Sequence, residues 1–223
     1  AMGQMMVIIC RHVDISIGST LAFAAIVIGL VFIHYPGISL WLALIITSLV
    51  GLILGLINGF IVTRFNVHSI IVTLGTLSLY RGLVFIVSGG RQIDRNDIPE
   101  HIVLFSQTSF LFSIPAILIF SAVIVIITHI LMRHSVLGRE IYATGSNPVA
   151  AHLKGINVTK VTLFCFGVCG MLAGIAGLFY ASRFGYVNPG VTGVGIEFIV
   201  IAGVIIGGTS ITGGSGSVLG TFL

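Results

Sequence analysis

Charged side chains are nearly missing from this sequence: six acidic and ten basic residues stand in 223, against 57% hydrophobic positions and a mean hydropathy of +1.19. So little polar surface cannot coat a water-soluble globule, which leaves the lipid bilayer as the natural solvent. Cysteine is equally scarce. Cys10, Cys165 and Cys169 all lie in apolar segments and read as small buried hydrophobes, which excludes a disulfide framework. No G-x-x-x-x-G-K-[ST] stretch occurs, so the chain has no phosphate-cradling loop of its own; neither G-x-S-x-G nor H-E-x-x-H is found. The seven histidines are dispersed and no metal site is expected. Basic residues are scattered or confined to one loop without stacking aromatics, which argues against nucleic acid. A basic leader with a cleavage site is also lacking: AMGQMMVIIC is apolar, as if the chain began inside a helix.

What the sequence does have is long uncharged runs. Leu40 to Thr63 carries no charge and places Gly51, Gly55 and Gly59 four residues apart, a small-residue packing face. Leu111 to Met132 and Val161 to Ser182 are further spans, the latter with Gly170 and Gly174 on one face. Ser19 to Tyr35 is shorter, and Val67 to Gly90 contains Arg81 and a Ser/Thr/Gly cluster; both are read as tilted or broken helices. From Ile196 to Leu223 an apolar start dissolves into GGTSITGGSGS (207–217), which fits a discontinuous or re-entrant segment or else an extramembrane loop. The expected fold is all-α, a polytopic helical membrane protein with broken or re-entrant helices, in one domain over residues 1–223.

Orientation follows from the basic residues. The connection 133–160 holds Arg133, Arg139, Lys154 and Lys160 against Glu140 and is placed in the cytoplasm; 91–110 and Pro36-Gly37 then face outward and Arg64 inward. Three charges are costly at membrane depth. Asp14, next to Arg11 in the C-R-H-V-D-I-S-I-G run, fits a solute path or a helix cap. Arg81 fits an aqueous pathway or a side chain snorkelling to the outer headgroups. Glu197 fits the start of a helix near the interface.

The run GREIYATGSNPVAAHLKGINV (138–158) resembles the cytoplasmic segment of the ribose-type ABC permeases of bacteria, the group that also carries xylose, rhamnose and autoinducer-2. HVDISIGS (12–19), NGFIVTRFNVHSIIVTLGTLSLYRG (58–82), SGGRQI (88–93), GLFYASRFGYVNPG (177–190) and GGTSITGGSGSVLGT (207–221) are similar to that family's blocks in the same order. Arg11-His12 departs from the usual Gly-Gly or Arg-Asn before the Asp14 block. Relatives also continue at both ends, so a chain truncated at both ends is expected.

The resemblance implies a multi-pass permease of the bacterial inner membrane that translocates a sugar or sugar-like solute by alternating access. It implies a second permease copy or homologue, membrane lipid, a periplasmic sugar-binding protein and two cytoplasmic ABC ATPase subunits. ATP and Mg would be bound on those ATPase subunits and no cofactor on this chain, which is therefore no enzyme. The ATPase-coupling element would comprise Gly138, Arg139, Glu140, Ala143, Thr144, Gly145, Asn147, Ala150, Ala151, Leu153 and Gly155. Locally, Ser146 or Asn147 can cap a short helix with Pro148 in its first turn, ended by Gly155; Val149 and Leu153 would share a face. The translocation path would include Asp14, Ser16, Asn58, Thr73, Thr76, Arg81, Asn188 and Glu197. Without the resemblance, an ion-coupled secondary transporter or a passive channel with a filter in the glycine-rich stretch fits the same composition.

Overall fold

The computed structural model describes residues 1–107, 109–110 and 114–222. Leu111, expected to open a span, and Leu223, at the end of the expected re-entrant segment, lie outside them. Among the described residues are eleven α-helices: α1 (Met2–Ile9), α2 (Ile17–His34), α3 (Leu40–Phe65), α4 (Ser69–Ser88), α5 (Glu100–Gln107), α6 (Ala116–His134), α7 (Val136–Ser146), α8 (Pro148–Leu153), α9 (Val158–Phe184), α10 (Ile196–Ile206) and α11 (Val218–Phe222). Two dipeptide strands, β1 (Ser109–Phe110) and β2 (Ile114–Pro115), pair antiparallel before α6. The all-α expectation describes this architecture. Five helices, α2, α3, α4, α6 and α9, are long and apolar enough to cross a membrane.

The longest two helices make the central crossing. α3 has 26 residues and α9 has 27, about 40 Å each at the helical rise, enough for a hydrocarbon layer of about 30 Å. Their glycines meet as the spacing predicts. A Cβ on Gly51 would collide with the Gly170 carbonyl, one on Gly55 with the Phe166 carbonyl, and one on Gly174 with the Thr47 carbonyl. Hydrocarbon offers no hydrophobic drive to bring helices together, so close backbone approach supplies the contact instead. The opposite face of α3, with Trp41, Ile45, Ile53 and Phe60 more than half exposed, is uncovered by the rest of the described residues.

α2 packs against α9, α4 and α3 and is two-thirds buried, whereas α6 is only 17% buried and lies at the periphery. α2 and α4 are both unbroken, so of the tilted or broken helices expected over Ser19–Tyr35 and Val67–Gly90 the break is not found. The hydroxyls of the cluster do not open the helix, because Thr73 Oγ1 donates to the Ser69 carbonyl at 2.9 Å within α4 itself. The real breaks lie elsewhere. α1 stops at Ile9, where the chain leaves helical form before α2, and α10 ends after eleven residues, only about half a bilayer long.

Loops gather at two ends. At one, Ile93 and Val187 exchange two backbone hydrogen bonds (3.0 and 2.9 Å), and the His101 ring pairs with the Ile38 carbonyl at 2.9 Å. At the other, residues 66–68, α7, α8 and the turn 207–217 lie around the end of α1, and this end carries the basic connection placed in the cytoplasm.

Candidate translocation and coupling sites

Between α1 and α2 the chain leaves helical form, and its backbone groups must then find partners in a dry interior. They do so among polar side chains from three other elements. The Gln4 amide, oriented to suit both partners, donates to the Asp14 carbonyl (3.3 Å) and accepts from the Asp14 N–H (3.2 Å). Val13 N–H donates to Ser69 Oγ at 3.1 Å, and Thr73 Oγ1 is 3.3 Å from the Val13 carbonyl. The Asp14 carboxylate accepts from Ser16 N–H (2.9 Å) and Ser16 Oγ (2.7 Å). Ser16 Oγ accepts in turn from Asn58 Nδ2 at 2.7 Å. Tyr80 OH contacts Asn58 Oδ1 (3.1 Å) and the Leu54 carbonyl (2.9 Å).

Asp14, Ser16, Asn58 and Thr73 are thus one connected, buried group. The Asp14 carboxylate holds the turn that leads into α2 through Ser16, but the N-cap position of α2 is Ser16 itself and no side chain caps it. Thr76 lies one turn beyond Thr73 on the face of α4 that also carries Tyr80, buried with both.

A second group forms toward the end that holds the Ile93–Val187 pair. Arg81 donates to the Thr192 carbonyl (2.7 Å) and the Pro189 carbonyl (3.3 Å), so its guanidinium is drawn inward to the 188–192 turn. Asn188 Nδ2 donates to Gln92 (2.8 Å), and its Oδ1 accepts from Gly190 N–H (2.8 Å). Glu197 does begin a helix, as the second residue of α10, where the N-terminal dipole suits a carboxylate. It is buried there, filling the space beside Gly18 at the start of α2.

The α7–α8 element is built from local signals. Ser135 caps α7 by accepting from Gly138 N–H at 2.9 Å. Asn147 caps α8 by accepting from Ala150 N–H at 3.0 Å, with Pro148 as the first helical residue, and Gly155 follows in the left-handed region at φ 84°. Ala151 is buried inward, while Val149 (71% exposed) and Leu153 (82%) stand out together. Arg139, Glu140 and Ala143 lie along α7 and Thr144 is buried toward its end.

This element touches both helix breaks. A Cβ on Gly145 would collide with the Ile9 carbonyl at the end of α1. Arg11 donates to the carbonyls of Gly145 (2.5 Å) and Ser146 (2.6 Å). Gly214 N–H donates to the Ile9 carbonyl (2.9 Å), and Tyr142 OH to the Gly216 carbonyl (2.9 Å), burial pushing that phenol's pKa up.

Sequence reading passed over Gln4, Tyr80 and Tyr142. For Gln4 the signal was present, one polar side chain in an otherwise apolar MGQMMVII. For the tyrosines it was not, since a hydroxyl on an aromatic ring does not announce its partner. The three cysteines are free and buried, with Cys10 and Cys165 sulfurs 3.5 Å apart. Among the described residues no group of three or more His, Cys, Asp or Glu is placed to hold a metal ion.

Comparison with known proteins adds the context. The chain is 35% identical over 223 residues to the autoinducer 2 import system permease protein LsrC of Yersinia enterocolitica. It is 36% identical to the protein of that name from Salmonella paratyphi B, and 34% to that from Yersinia pseudotuberculosis. Each match takes all of this chain and 60%, 63% and 62% of those proteins, so the chain spans about three-fifths of the length of the curated relatives it matches. No solved structure matches it. Every residue from 1 to 223, both helix breaks and the element between them included, falls within one family, described as branched-chain amino acid transport system / permease component, and the chain belongs to it.

Proposed function

We propose that this chain is the membrane-spanning permease region of an ATP-driven importer in the bacterial inner membrane. Its solute would be autoinducer-2 or a similar sugar-like molecule such as ribose, xylose or rhamnose. The curated relatives carry autoinducer-2 import in their names, which supports the first of these. Residues 1–223 would act as one permease domain alongside a second permease copy or homologue. A periplasmic binding protein would deliver solute, and two cytoplasmic ATPase subunits would bind ATP and Mg and hydrolyse the nucleotide.

The observation that carries the reading is α8. A two-turn helix exposes two apolar side chains, 71% and 82% exposed, and follows directly on the end of α7, which is bonded to the α1–α2 break and packed against the 207–217 turn. Isolated helices this short are marginal, so its firm caps and fixed seat point to a docking knob for a partner. Movement of α7 and α8 would then reach the Asp14–Ser16–Asn58–Tyr80 group through the end of α1. That group bridges the α1–α2 break to α3 and α4, so shifting it exchanges inward- and outward-facing arrangements.

The test is uptake by proteoliposomes containing the full-length permease and its partners, with labelled autoinducer-2 added outside. ATP inside or on the ATPase side should be required, and an ion gradient alone should give none. Uptake driven by a proton or sodium gradient without ATP would replace this reading with a secondary transporter.

A further inference from the structure

Arg11 stands where a helix ordinarily ends in glycine. Its N–H donates to the Ile8 carbonyl (2.9 Å) and His12 N–H to the Val7 carbonyl (3.0 Å), the paired bonds that close α1, and its own backbone is left-handed with φ 67°. That position favours glycine, because a Cβ crowds the neighbouring carbonyl. A chain that needed only to end α1 would be better served without the side chain.

What the arginine adds is its reach. Nε and a terminal nitrogen donate to the last two carbonyls of α7, at Gly145 and Ser146. A helix C-terminus leaves those acceptors unpaired and carries negative partial charge, so a guanidinium suits both needs. The residue after Ser146 is Asn147, the cap of α8. Three residues after Arg11 is Asp14, held to Ser16 and through it to Asn58.

We infer that Arg11 is a positioning residue for transport: a latch that carries displacement of α7 and α8 into the α1–α2 break. It touches no solute and acts through Asp14 and Ser16. The inference rests on the permease reading above and adds to it the part through which the cytoplasmic element grips the membrane region.

Arg11→Gly tests it, because glycine keeps the left-handed backbone and removes only the grip. In nanodiscs holding the full permease with its partners, amide exchange over residues 142–153 should quicken about tenfold, as expected for losing two charge-assisted hydrogen bonds, with α9 unchanged. In proteoliposomes the ATP consumed per autoinducer-2 taken up should rise about fivefold or more, and Arg11→Lys should restore part of it. A purely structural role would leave that ratio untouched. Wild-type exchange and a wild-type ratio in Arg11→Gly, or either alone, would overturn the latch. If the wild-type assembly itself takes up nothing with ATP, the permease reading fails instead and the latch falls with it, a result the wild-type control identifies.

Discussion

The α3–α9 crossing and the junction of α7 with the two helix breaks hold the molecule together by different means. At the crossing, Gly51, Gly55, Gly170 and Gly174 let two long helices touch backbone to backbone, and no hydrogen bond between side chains is needed. At the junction, contact runs through directed bonds: Arg11 to the end of α7, Gly214 to Ile9, Tyr142 to Gly216. Close packing has a single deep minimum and resists sliding. Directed bonds at a half-solvated end can be exchanged for others at small net cost. The crossing is therefore suited to a fixed scaffold, and the junction to a joint that moves.

Substitutions can break that contrast apart. The largest effect belongs to the crossing. Gly51→Leu puts a side chain into the Gly170 backbone, and a loss of about 3 kcal/mol or more is expected, read as a fall in folded yield and in melting temperature in detergent. Gly145→Ala comes next. Its methyl meets the Ile9 carbonyl, and if the junction is a joint α7 gives way there at a cost of about 2 kcal/mol, with faster amide exchange confined to α7, α8 and 207–217. Equal global destabilisation by both would erase the distinction between scaffold and joint.

Tyr80→Phe should cost about 1 kcal/mol by removing the hydroxyl that contacts Leu54 and Asn58. A double-mutant cycle with Asn58→Ala measures the pair, and strict additivity would mean that the buried group is not connected there. Smallest of all is Gly75→Ala. Gly75 has helical backbone with open space around a Cβ, and the change should leave thermal stability the same or raise it by about 0.5 kcal/mol.

How much of this was legible in the sequence differs between the same two regions. The crossing was readable, because four-residue glycine spacing in an uncharged run has one efficient use in lipid. The short helix α8 was readable from Asn147, Pro148 and Gly155, whose preferences are local. The state of α4 was not: its serines and threonines left a tilted or a broken helix open, because each hydroxyl can bond within its own helix and nothing in composition distinguishes the two outcomes. Nor was the meeting of the two breaks legible. It depends on Gly214 reaching Ile9 across more than two hundred residues, a pairing set by tertiary packing alone. The inward turn of Arg81 was hidden for the same reason, since its acceptors are backbone carbonyls at Pro189 and Thr192 that carry no side-chain signature.

The central claim is that α8 takes up the motion of a cytoplasmic ATPase and passes it to the membrane region. Val149→Asp tests it most directly, because the residue is 71% exposed and an acidic group in the first turn of α8 favours the helix dipole, so folding is spared. The measurement is ATP-driven uptake of labelled autoinducer-2 by proteoliposomes, alongside the amount of ATPase retained by the purified permease. The account predicts wild-type membrane insertion, uptake reduced about tenfold, and either a lost ATPase or hydrolysis without uptake. Wild-type uptake with a fully retained ATPase would contradict it.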